Sequence, residues 1–175
     1  RSTLFPYTTL FRSSSTKIYN HLRQSEPYKH SQNIACYFPI GSEVDTHSIM
    51  LNILSNGKNL LLPTVVDNDL EFRIVTDLKK LEKGHFDIME PRDDLKKSDS
   101  IASVLFPTLA VSSSCTLFVY ARRYYVKFLS STNAMYISLT FSPQLVLSLP
   151  PDSYAVHDRK LTRLTSSPSL LSSAS

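Results

Sequence analysis

Two hydrophobic periods alternate along this chain. Ile34-Ala35-Cys36-Tyr37-Phe38 is a short unbroken apolar run, as expected of a strand buried on both faces. Soon after it, Ser48-Ile49-Met50-Leu51-Asn52-Ile53-Leu54 spaces its apolar residues at helical intervals, and Asn56-Gly57 supplies a stop. The pattern predicts a helix over 15–24, a strand over 33–38, a helix over 46–56, a strand over 59–63 and an extended piece over 70–75. Residues 76–81 read as a short turn or helix, and 92–100 as a charged surface loop. A strand over 101–105 enters Pro107, a helix covers 122–130 and a strand covers 134–139. A short helix over 143–149 is stopped by Pro150-Pro151. Strand and helix signals in this order argue for an α/β fold with a mostly parallel sheet covered on both faces.

Composition narrows the class. The 175 residues suit one domain with a real core, and 42% hydrophobic with 19% charged residues is a globular balance. No apolar run approaches the ~20 residues a membrane helix needs, and the N-terminus lacks a signal-peptide core. Cys36 and Cys115 lie far apart in apolar surroundings. That usage fits a reduced, cytoplasmic chain and offers no zinc-ligand spacing. The net charge of +4 is confined to the ends, two charges each in 1–13 and 158–175, over a neutral body. A neutral body has no electrostatic footprint for nucleic acid.

Candidate chemistry centres on Tyr37-Phe38-Pro39-Ile40-Gly41-Ser42-Glu43-Val44-Asp45-Thr46, where a strand gives way to a helix. Open α/β sheets bind ligands in the crevice beyond the carboxyl ends of their strands, which marks Glu43. The plainer reading has Asp45 and Thr46 simply capping the next helix. His21, His30, His47 and His85 have no partners at metal-ligand spacing and read as surface residues, Cys36 as a small core residue.

Further segments carry a family resemblance. Leu70-Glu71-Phe72, Phe86-Asp87-Ile88-Met89-Glu90-Pro91 and Leu105-Phe106-Pro107-Thr108-Leu109-Ala110 follow the Phe38–Thr46 segment. After them come Tyr120, Tyr124-Tyr125, Leu139-Thr140-Phe141 and His157-Asp158. In this order and at these separations, residues about 14–158 resemble the 5-formyltetrahydrofolate cyclo-ligase family, also called methenyltetrahydrofolate synthetases. The resemblance implies a three-layer α/β/α sandwich, a monomer that binds folate and ATP, with Mg²⁺, and neither nucleic acid nor membrane. It implies transfer of the ATP γ-phosphoryl group to the formyl oxygen, then closure of N10 on the activated carbon with loss of phosphate. By position, Phe38, Glu43 and Tyr124 would contact folate. Tyr120, Ala121, Arg122, Arg123, Tyr124 and Tyr125 would line the nucleotide, and Asp158 would be a magnesium ligand.

The chain departs from that family in its phosphate loop. The family's glycine-rich segment reads here Leu117-Phe118-Val119-Tyr120-Ala121-Arg122-Arg123-Tyr124-Tyr125-Val126, so every glycine is replaced and the second magnesium carboxylate is Val126. Ser112 and Cys115 stand upstream where the family has Asp and Gly. Only 3 glycines occur, none after Gly84, where about 7% is usual. Three readings of the segment stay open: point errors or decay of the coding sequence removed the glycines, Arg122 and Arg123 grip phosphate with side-chain charge, or a helix exposes them and buries Tyr124, Tyr125 and Phe128. The family's N-terminal helix, which carries a Lys and an Arg to the phosphates, has no counterpart, and Lys17 does not replace it. Residues 1–13 and 158–175 resemble translated sequencing adapter, which leaves 14–157 as the cyclo-ligase-like domain. Three functional readings follow: an ATP-dependent cyclo-ligase, a folate-binding relative without turnover, or a damaged reading frame.

Overall fold

The computed structural model describes residues 5–67, 69–84, 87–112, 116–118, 127–128, 131–146, 156–157 and 161–166. Helix α1 (Phe5–Gln24) and helix α2 (Glu26–His30) precede strand β1 (Asn33–Ala35) and helix α3 (His47–Ser55). Strands β2 (Asn59–Val66) and β3 (Asp69–Val75) form a hairpin, followed by a short pair, β4 (Leu81–Lys83) and β5 (Met89–Pro91). Then come β6 (Ser103–Pro107), β7 (Ala110–Ser112), β8 (Thr116–Phe118), β9 (Met135–Thr140), β10 (Leu145–Val146), β11 (Val156–His157) and β12 (Leu161–Thr165).

The main sheet has the order β12-β9-β6-β1-β2-β3, parallel throughout except where β3 returns antiparallel along β2. The expected α/β fold with a mostly parallel sheet is therefore what forms. Strand residues divide strictly between its faces. Ile34, Cys36, Leu60, Leu62, Leu105, Ile137 and Leu139 enter one core cluster with helices α1–α3. Ala35, Leu61, Val104, Phe106 and Tyr136 enter another, against which Phe128 and Leu145 pack. Neighbours in sequence serve opposite faces, which is the period of two expected of a strand sandwiched on both sides.

Helix α1 buries Ser15, Ile18 and Leu22, with Phe11 packed on the same cluster. Those positions recur every three or four residues, so one stripe faces the sheet. In α3 the buried residues are Ile49, Met50 and Ile53, whereas Leu51 faces water at 57% exposure. Lys58 locks α2 onto the sheet: its Nζ donates to the carbonyls of Tyr28 (2.9 Å), Lys29 (2.8 Å) and Ser31 (2.5 Å). These are carbonyls that the end of a helix leaves without intrahelical partners. Replacing Lys58 with Met is expected to cost about 1–3 kcal/mol, because three acceptors lose a charged donor; urea unfolding reads this as a lower midpoint at unchanged slope.

Several boundaries differ from the sequence reading. Strand β1 ends at Ala35 rather than at residue 38, because Tyr37 and Phe38 turn away into the loop before α3. Residues 143–149 were expected to be a short helix; instead a 3-10 turn over Ser142–Gln144 leads into β10, which pairs parallel with β7. The 92–100 segment is less free than its charge suggests. Arg73, only 5% exposed, donates to the Asp93 carbonyl and pairs with the Asp93 carboxylate at 3.1 Å. The segments read as lying outside the domain also supply structure: residues 5–13 extend α1, and Leu161–Thr165 pairs parallel with β9 along the sheet edge. Among the described residues no helix is long and apolar enough to cross a membrane.

Candidate functional site

Strand order reverses direction at β1. From it the chain proceeds to β2 on one side, then returns to β6 on the other and continues outward to β9 and β12. Such a switch point leaves a crevice beyond the carboxyl ends of the two flanking strands, here β1 and β6. The segment leaving β1 is 36–46, and the residue leaving β6 is Thr108.

The 36–46 loop is held from both ends. The buried Tyr37 hydroxyl donates to Val44 O at 3.0 Å, and Thr46 Oγ1 donates back to Tyr37 O at 2.8 Å. A turn inside it is closed by Glu43 N–H donating to Ile40 O at 3.1 Å. Gly41 occupies that turn at φ +54°, a left-handed conformation that most side chains disfavour. Glu43 returns the contact, its Oε2 accepting the Ile40 N–H at 3.0 Å. A single sequence thus fixes the Glu43 carboxylate at the strand tip.

This carboxylate lines a cleft of about 480 Å³ with Arg12, Ser42, Asp45 and His47. Burial pushes the Glu43 carboxyl above its ordinary value, and the Ile40 N–H offsets only part of this. Asp45 behaves oppositely. Burial raises it as well, but the backbone and ring N–H groups of His47 outweigh burial, assisted by the charges of His47 and Arg12. Two carboxylates two residues apart are therefore shifted in opposite directions. Asp45 Oδ1 accepts the His47 backbone N–H at 3.0 Å and meets its Nδ1 at 2.7 Å. The capping expectation for Asp45 is met in this form. Thr46 occupies the cap position of α3 without a side-chain capping bond.

Phe38 is half-buried, packed against the core cluster and against the His47 ring, with centroids 4.9 Å apart and planes at 79°. The loop therefore joins Phe38 to Asp45 through His47, a residue the sequence reading set aside. The available signal was the Asp45-x-His47 spacing at a helix start. Tyr120, Ala121, Arg122, Arg123, Tyr124, Tyr125 and Asp158 lie outside the described residues. At the ends of β6 and β9, Ser138 Oγ hydrogen-bonds both Thr108 Oγ1 and, at 2.7 Å, Thr140 Oγ1. This buried hydroxyl ladder ties the end of β6 to β9. Cys36, fully buried beneath the loop, has its thiol pushed up to about 12 by burial and is not a nucleophile at neutral pH.

A larger cleft, about 630 Å³, opens between the β2–β3 hairpin and the β4–β5 pair. Its two buried charges already have partners, Arg73 with Asp93 and Glu90 with Thr64 Oγ1 at 2.7 Å. It also lies away from the switch point. We therefore place the candidate site at Glu43.

A family model described as the 5-formyltetrahydrofolate cyclo-ligase family matches residues 6–166. Among solved structures, the chain is similar to the Aquifex aeolicus 5,10-methenyltetrahydrofolate synthetase, with 25% identity and a TM-score of 0.77, covering 87% of this chain and 77% of that one. The Mycoplasma pneumoniae 5,10-methenyltetrahydrofolate synthetase shares the fold at 16% identity and a TM-score of 0.64, covering 86% of this chain and 84% of that one. No curated protein matches significantly.

Proposed function

The chain belongs to the 5-formyltetrahydrofolate cyclo-ligase family, and from that premise we propose that it converts 5-formyltetrahydrofolate to 5,10-methenyltetrahydrofolate with hydrolysis of ATP. The observation that carries the reading is the Glu43 carboxylate, fixed by the Gly41 turn in a cleft beyond β1. One of its oxygens is occupied by Ile40; the other is available to accept N–H groups from the reduced pterin. Tyr124 shares the folate contact, and Phe38 supports the wall behind His47.

The reaction asks little covalent chemistry of the protein. The formyl oxygen takes the γ-phosphoryl group as ADP leaves; N10 then bonds to the formyl carbon, loses its proton, and the oxygen departs as phosphate. Alignment of the two substrates is the protein's main task. Residues 120–125 would hold the nucleotide. Among the described residues no group of three His, Cys, Asp or Glu side chains could hold a metal. Magnesium would enter with the triphosphate, with Asp158 as a protein ligand and phosphate and water oxygens completing its coordination.

The test is direct: 5-formyltetrahydrofolate and Mg-ATP are incubated with the chain, and the ultraviolet band of the methenyl product is followed together with ADP. Formation of both in equal amounts supports the reading. A second reading, folate binding without turnover, is favoured by one observation, the loss of every glycine between Leu117 and Val126. Tight folate binding with no ADP released would select it. We also propose that 14–157 is the native domain, acting as a monomer in the cytoplasm, with 1–13 and 158–175 added to it; under that boundary Arg12 and Asp158 are not native parts of the site, and phosphate and water oxygens alone complete the magnesium coordination. Resequencing the encoding gene tests that boundary, since the same terminal residues read from genomic DNA would contradict it.

A further inference from the structure

We propose that His47 reads the polar edge of the folate alongside Glu43, acting as a specificity residue; this rests on the folate reading of the cleft. Three features of its surroundings argue for it. His47 is the first residue of α3, and Asp45 Oδ1 receives both its backbone N–H (3.0 Å) and its ring Nδ1 (2.7 Å). A carboxylate held in its ionised form only accepts hydrogen bonds, so Nδ1 must carry a proton and the ring tautomer is fixed. The remaining ring nitrogen, Nε2, has no hydrogen-bond partner among the described residues. The ring is also held in place by Phe38, 4.9 Å away at 79°, a perpendicular arrangement favoured between aromatic rings.

An imidazole constrained on two sides, with its third side on a cleft, is preorganised for a ligand rather than for the fold. Its side chain is 49% exposed, so the core gains little from it. Glu43 is arranged in the same way, with Oε2 spent on Ile40 N–H and Oε1 left over. Among the described residues, the loop therefore leaves one carboxylate oxygen of Glu43 and one ring nitrogen of His47 without a hydrogen-bond partner beside the cleft. A reduced pterin carries adjacent N–H donors and a carbonyl or ring-nitrogen acceptor along one edge. The carboxylate suits one set of donors, and Nε2, an acceptor when Nδ1 carries the proton, takes a further N–H on that edge. In this arrangement Asp45 is a positioning residue, acting through His47.

Isosteric substitutions separate a ligand role from a local one. The amide of Asn overlays Nδ1 of histidine, and that of Gln overlays Nε2. Titration calorimetry with 5-formyltetrahydrofolate is run on the unaltered chain, Glu43→Gln, His47→Ala, His47→Asn and His47→Gln, with melting midpoints measured in parallel. His47→Ala and His47→Asn are expected to weaken binding by about tenfold, and His47→Gln to recover most of it, all at near-unchanged midpoints. Equal affinity across the His47 variants, or recovery by Asn and not by Gln, overturns the role of His47 while leaving the folate reading intact if Glu43→Gln still weakens binding. No binding by the unaltered chain overturns both.

Discussion

Glu43→Gln is expected to weaken 5-formyltetrahydrofolate binding by about 10- to 100-fold, the range for removing a charged partner from a ligand hydrogen bond. The same change should leave the melting midpoint at neutral pH equal or higher. Burial holds the carboxyl above its ordinary value, so the folded chain binds this proton more tightly than the unfolded chain does. Its contribution to stability is therefore greatest at low pH and is lost as pH rises through the folded-state value. Gln carries no charge and escapes that loss. Folate affinity has the opposite sign: the ionised carboxylate accepts pterin N–H groups, so affinity falls as pH drops through the raised value. Titration calorimetry across the acidic range checks both signs. A variant that binds folate as tightly as the unaltered chain would remove Glu43 from the site.

The largest effect on stability is expected at Phe106, which is fully buried in β6 and meets Tyr136 with ring centroids 6.5 Å apart. Phe106→Ala removes an aromatic side chain from a face where strands β1, β2, β6 and β9 supply its neighbours. The expected loss is about 3–5 kcal/mol, from lost transfer energy and the cavity left behind. Against a total stability of roughly 5–15 kcal/mol for a domain, such a loss lowers the urea midpoint severely. A loss under about 1 kcal/mol would mean that the second face of the sheet is not packed as described.

The sequence made the central strands legible because parallel strands covered on both faces read as unbroken apolar runs. Ile34–Phe38, Leu60–Leu62 and the run before Pro107 are such cases. Helix α3 was equally plain from its spacing and its Asn56-Gly57 stop. What escaped were elements whose pairing depends on distant partners. The three-residue strands β7 and β8 have too few residues to show a period, and β10 is set by its register against β7. Strand β12 is a polar segment whose Leu164 and Thr165 are buried because β9 lies beside them and helix α1 packs over them.

The candidate site divides along the same line. Glu43 was recognisable from its place after a strand, and the family resemblance supplied Phe38. The coupling of Asp45 to His47 was not drawn from the sequence, since a histidine beside a helix cap looks like any other surface residue. Geometry gives it meaning through Phe38. Gly41 was visible as a residue, yet its role in returning the Glu43 carboxylate to the Ile40 N–H needed the turn itself.

The central claim is one of place: folate enters the crevice where the sheet reverses, beyond β1 and β6. Amide NMR shifts recorded while 5-formyltetrahydrofolate is added test it most directly. The account predicts changes concentrated in 37–47 and at Thr108. Shifts confined to Thr64–Asp67 and Glu82–Pro91, with 37–47 unmoved, would contradict it.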